Sequence, residues 1–210
     1  MKHTMCSLSR RLVAPALFTA FVALIGLSGC AGQQATITPT VVAEKEALGR
    51  SVEVSTTVRD VRTDPVVGRC NPNSSVSGKL TVACDPAPAI RSALERGLRE
   101  KGFSPAVARD SVVRSLNVEL TELTYTANQQ GDRLVAKAVA VLSVKAGNNG
   151  QTVDRKFTGE TVWKLSGDNI EPDFDKLLSQ TVSKAISRLF SDYELIHFLE
   201  KTVLRTRDIK

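Results

Sequence analysis

Eighteen residues without a charge, Leu12 to Gly29 (LVAPALFTAFVALIGLSG), follow a short basic opening that holds Lys2, Arg10 and Arg11. A basic start, an apolar run and small residues at its end form the layout of a secretory signal, which is removed from the mature chain. The run is also just long enough for a membrane-spanning helix. Pro15, Gly26, Ser28 and Gly29 weaken such a helix, and no basic stop follows Cys30. The fold must therefore be built from the residues beyond 29, in a compartment outside the cytoplasm. Removing the signal also changes the charge argument. The whole chain stands at +6, but beyond residue 29 it has 25 basic and 22 acidic residues. So weak and scattered an excess does not point to a polyanion, and no nucleic-acid partner is expected. With 42% hydrophobic and 24% charged residues among 210, the chain has the composition of a globular protein.

The end of the apolar run, Leu27-Ser28-Gly29-Cys30, resembles the lipobox of bacterial lipoproteins. Small residues before the cysteine let an extended backbone enter a peptidase, and the thiolate is the nucleophile that takes a diacylglyceryl group. The resemblance implies cleavage before Cys30 and acylation of its new amine. Two or more acyl chains anchor stably where one does not. Ala31 stands where an inner-membrane retention signal usually has Asp, which implies sorting to the outer membrane of a Gram-negative bacterium, facing the periplasm. Residues 1–29 then read as signal peptide, 30–50 as the lipidated cysteine with a flexible tether around Pro39, and 51–210 as one domain.

Cys6 leaves with the signal and Cys30 is acylated, so Cys70 and Cys84 remain. An oxidising compartment and the turn-rich segment between them predict a Cys70–Cys84 disulfide, with loop closure contributing about 3 kcal/mol. A metal site would need more ligands at tight spacing, and a redox site a Cys-x-x-Cys motif.

Val52, Val54 and Val58 alternate with polar residues in a strand over Ser51 to Arg59. A helix follows, capped by Asp85 with Pro86 in its first turn, striped by Ile90, Ala93, Leu94, Gly97 and Leu98, and ending at Gly102. Three strands are predicted near 113–126, 134–145 and 152–165, joined by hairpin loops at 128–132 and 147–150. A four-residue second loop sets Val144 opposite Val153, Ala140 opposite Phe157 and Leu134 opposite Trp163. The first hairpin would then pair Leu116 with Val144 and Val118 with Leu142. Phe174, Leu177, Leu178, Val182, Ala185, Ile186 and Leu189 have helical spacing. Ser191-Asp192-Tyr193-Glu194 resembles a capping box that restarts the helix toward Leu199. The expected fold is α+β, an antiparallel sheet of about four strands with two main helices on one face, in the order β-α-β-β-β-α.

In those registers Leu123, Tyr125, Val135, Val139, Val141 and Val162 gather on the sheet face away from the helices, bordered by Lys137, Lys145, Lys156 and Glu160. Such a patch is either a partner surface or is covered by the tether, a further strand or the segment 104–110. Asp60 and Arg62, two apart after the first strand, can form a ligand-binding pair or a structural ion pair. His197 has no partner carboxylate and nucleophile set by a motif, so a helix-surface role is expected. No glycine-rich phosphate loop and no histidine or cysteine cluster is present, so neither catalytic residues, cofactor nor metal is expected.

Val58-Arg-Asp60-Val-Arg62, Val67-Gly68-Arg69, the run Ala93 to Phe103 and the terminal Ser191 to Leu199, together with the lipobox, resemble the YajG-type bacterial outer-membrane lipoproteins. The resemblance spans nearly the whole chain. It implies a small envelope lipoprotein of two helices on a sheet, with no enzymatic signature. The expected role is a non-enzymatic scaffold or adaptor binding another envelope protein or itself. The alternative is an auxiliary or carrier lipoprotein contacting lipid or cell-wall fragments.

Overall fold

The computed structural model describes residues 32–41, 43–70, 78–107, 112–166 and 172–201, so the signal run and Cys30 lie outside the described residues. In chain order its elements are β1 (Gln33–Ala35), β2 (Glu53–Asp60), β3 (Val66–Arg69), β4 (Lys79–Val82), α1 (Ala87–Glu100), β5 (Ser104–Ala106), β6 (Arg114–Gln130), β7 (Arg133–Asn148), β8 (Gln151–Ser166), α2 (Phe174–Ser191) and α3 (Tyr193–Glu200). The class is α+β, but the expected sheet of about four antiparallel strands is replaced by two mixed sheets. One has the order β5-β2-β6-β7-β8 and the other β1-β4-β3. β2 runs parallel to both β5 and β6. The reason is α1, because a chain that returns to a sheet over a helix comes back in its starting direction.

β6, β7 and β8 form the expected antiparallel meander, with tighter turns than composition suggested. The second turn is Asn149-Gly150 alone, both at positive φ (50° and 82°), the geometry of a two-residue hairpin. Val144 consequently faces Arg155, Ala140 faces Gly159 and Leu134 faces Leu165. In the first hairpin Leu116 pairs with Ala146 and Val118 with Val144. Each register slides by two residues, which changes partners but keeps every side chain on its face. A β-bulge between Leu120 and Glu122 then shifts the ladder by one. Beyond it Leu123 and Tyr125 point the other way, into the core.

The helices cover one face of the large sheet. Asp85 accepts the Ala87 N–H at 2.9 Å as α1 begins, and Ile90, Ala93, Leu94, Gly97 and Leu98 form its buried stripe. Asp173 caps α2 through the Lys176 N–H and Asp192 caps α3 through the Leu195 N–H, each at 3.0 Å. β7 presents Ala136, Ala138, Ala140 and Ala146 to this layer, small side chains that let α2 approach. Gly159 on β8 completes the approach, since a Cβ there would fall 2.0 Å from the Thr181 carbonyl oxygen. Among the described residues no helix is long and apolar enough to cross a membrane.

The segment expected to be a tether is docked. β1 pairs in parallel with β4, and the chain continues extended along α2, with Ala35, Ile37 and Pro39 buried and Thr36, Thr38 and Thr40 exposed. The N–H groups of these threonines donate to Asp175 Oδ1, Ser179 Oγ and Ser183 Oγ, each at 2.9 Å. The match has a simple basis: four helical residues rise ~6 Å and two extended residues span ~6.6 Å, so acceptors at every fourth helix position meet every second strand donor.

Candidate functional site

From Gly32 onward there is little slack, because a Cβ on this glycine would stand 2.8 Å from the Lys79 carbonyl oxygen.

The expected Cys70–Cys84 disulfide is not formed. Cys70 is buried and Cys84 exposed, and the small sheet holds them at opposite ends of one hairpin. The Cys70 N–H donates to Gly78 O, where the chain enters β4, whereas Ala83, beyond the other end of β4, still pairs with Ala35 O. About 16 Å of extended chain lies between Gly78 and Ala83, and bridged cysteines need Cα atoms within about 7 Å. The segment that composition presents as one flexible loop contains a strand.

Asp60 and Arg62 do come together. The guanidinium grips the carboxylate with two parallel bonds, Nε to Oδ1 at 2.9 Å and Nη2 to Oδ2 at 2.7 Å, and the Arg62 backbone N–H reaches the same Oδ1 at 3.2 Å. Their side chains are 19% and 8% exposed. Desolvation and fork geometry make this a clamp on the turn leaving β2.

The proposed apolar outer face is only partly as expected. Leu123 and Tyr125 are core residues, 2% and 4% exposed, because the bulge turns them inward; Tyr125 meets Phe174 edge-on with ring centroids 5.1 Å apart. Val135, Val139 and Val141 are half-buried on the outer face, and Val162 is 44% exposed. Their cross-strand neighbours are polar: Val139 lies between Thr124 and Glu160, Val141 between Glu122 and Thr158, and Val162 beside Lys137. Lys137 and Glu160 add an ion pair at 3.1 Å. The valines are thus interleaved with charge.

His197 lies on the surface of α3, with Nδ1 3.1 Å from Glu200 Oε2 and its ring stacked on Tyr193 at 5.5 Å. Among the described residues no cluster of three or more metal-ligating side chains occurs.

The arrangement that sequence reading missed is a cavity of about 490 Å³ between the segment 43–48 and the corner of α2 and α3. Lys101 lines it, with its ammonium 2.7 Å from Glu46 Oε2 and its side chain 8% exposed. Phe190 reaches the site over Gly97, where a Cβ would come within 2.2 Å of its ring. The glycine in the α1 stripe was the available signal that something large packs there.

No curated protein matches the chain. Similar solved structures include a protein of Xanthomonas campestris, at 12% identity and TM-score 0.49, covering 79% of this chain and 93% of that one. A minor lipoprotein of Acinetobacter baumannii matches at 9% identity and TM-score 0.42, covering 70% and 92%. A lipoprotein of Neisseria meningitidis matches at 12% identity and TM-score 0.32, covering 67% and 99%. A family model for uncharacterized lipoproteins matches residues 39–200, from the docked segment to the last turn of α3. Over that span, which includes every helix and all strands but β1, the chain belongs to this lipoprotein family.

Proposed function

We propose that the mature chain is a non-enzymatic adaptor, held by acyl chains on Cys30 at the outer membrane of a Gram-negative envelope and facing the periplasm, where it binds another envelope protein. The observation that carries this reading is the short link between anchor and body: β1 begins at Gln33, three residues after Cys30, and the following residues are bonded to α2. An anchor so few residues from β1 leaves little free chain between lipid and body, which suits a platform for a second protein. The resemblance to YajG-type lipoproteins, and Ala31 after the cysteine, support the outer-membrane address. Cys30→Ser tests the anchor: incorporation of labelled palmitate should vanish and unprocessed precursor should accumulate. Normal labelling of that variant would end the reading. In-cell crosslinking of the native lipoprotein should give a discrete adduct with an envelope protein, and an empty result at every surface position tried would remove the adaptor role.

A further inference from the structure

The cavity at the α2–α3 corner carries chemistry beyond the anchor. α2 stops at Ser191 and α3 restarts at Tyr193 around the capping Asp192, and this break turns Tyr193 outward. At 70% exposure it is the one aromatic among the exposed large hydrophobic side chains of the described residues. It is also held in place, stacked on His197 with an interplanar angle of 8°. Facing it, the segment 43–48 is tied to the end of α1: Ala43 N–H donates to Glu100 Oε2 at 3.2 Å, and Glu46 N–H to Glu100 O at 2.9 Å.

The space between, about 490 Å³, falls in the size range of ligand sites. Its walls include the apolar Leu48, Phe190 and Ile196, with Glu44 and Glu46 as its carboxylates. The buried Lys101 ammonium is matched by Glu46. Glu44 is exposed and has no ion-pair partner among the described residues. Among the described residues the cavity therefore offers an apolar wall, one carboxylate without an ion-pair partner and an aromatic ring stacked on His197. That combination suits a long aliphatic stem ending in a cation, because the stem buries against apolar surface while its head meets a carboxylate and a ring face. An acidic ligand would meet the opposite: Lys101 is already paired, and Glu44 repels it.

We infer that this cavity receives a lysine or arginine side chain of the envelope protein that the adaptor binds. The inference rests on the adaptor reading and supplies its chemistry. Rigid support behind Tyr193 reduces the ordering cost of docking, and exposed tyrosine is a frequent anchor of interfaces.

The test uses the mature lipidated chain in detergent micelles, titrated by NMR with the acetyl amides of lysine, arginine, norleucine and glutamate. Lysine and arginine probes should shift the amides of Glu46, Ser191 and Tyr193 saturably, and norleucine should not. Glu44→Gln should weaken binding about fivefold, the upper size of one exposed charge contact, while Tyr193→Ala weakens it with the fold intact. Equal response to norleucine, preference for glutamate, or no saturable shift would overturn the inference. In cells, a photocrosslinker at Tyr193 should capture a protein whose adduct is lost with Glu44→Lys. An adduct that persists in Glu44→Lys overturns the basic-side-chain assignment while leaving the adaptor reading standing. Saturable probe binding with no adduct at any surface position overturns both.

Discussion

Ile37→Ala would discriminate a docked N-terminal segment from a loose tether. Ile37 is 4% exposed and lies between Ala35 and Pro39 in the row that packs toward the core. Truncation removes three buried carbons. The exposed Thr36 and Thr38 on either side allow the site to collapse, which puts the loss near the low end for such changes, about 2 kcal/mol. Against this, fixing the backbone costs about 1–2 kcal/mol per residue, and each of the three threonine bonds to α2 returns about 1 kcal/mol net. The segment is thus held by a small difference, and its opening should be local. Amide hydrogen exchange reads it directly: a 2 kcal/mol loss speeds exchange of Thr36, Thr38 and Thr40 about 30-fold, while Ala138 and Leu142 in β7 stay unchanged. Either of two results would overturn the docked segment or its local opening. Unprotected threonine amides in the native protein would make 33–40 a tether after all. An equal loss of protection in β7 would make the segment part of the global folding unit.

Two further outcomes follow from the site geometry. Cys84 should react with a maleimide in the folded protein and Cys70 only after unfolding, and non-reducing peptide mapping should show no link between them. Asp60→Ala leaves the largely buried Arg62 guanidinium without its carboxylate and should cost about 3 kcal/mol, read from the urea midpoint; a loss under about 0.5 kcal/mol would show the pair to be a surface contact in solution.

The parts of the fold legible in the sequence were those with enough residues to show a period. β6 to β8 each run 16 or 17 residues, and α1 and α2 14 and 18. β1, β3, β4 and β5 have only three or four residues each, too few for alternation to stand out from chance. The bulge in β6 did leave a trace. Val118 and Leu120 are followed by the polar pair Thr121-Glu122 before Leu123 and Tyr125 resume the alternation one step late. Reading through that pair as regular strand put the last two on the wrong face. Ala35, Ile37 and Pro39 also alternate with threonines, but proline and small residues gave the segment the composition of a linker. The Asp60–Arg62 clamp was readable as a pair because its members stand two positions apart. The pairing of Glu46 with Lys101 was not, since they stand 55 positions apart and only tertiary packing brings them together.

The docked segment and the cavity are connected through the chain itself. Residues from Gly32 onward run along α2 and then, as Ala43 to Leu48, form one wall of the cavity. The extended run from Gln33 to Thr40 alone spans ~23 Å. Arg96 fixes the midpoint, its Nη2 donating to the Pro39 carbonyl at 2.9 Å. A partner bound at Glu44 and Tyr193 would therefore touch a segment continuous with the docked residues 33–40. Binding that orders 43–48 should also favour the docked form of 33–41, because opening of the first would release the second. By reciprocity the Ile37→Ala change, though far from the cavity, should weaken the lysine probe by the fraction of time the segment spends open. If probe affinity is unchanged while threonine exchange accelerates, the segment opens without disturbing 43–48, and the Glu100 and Lys101 contacts hold that wall on their own.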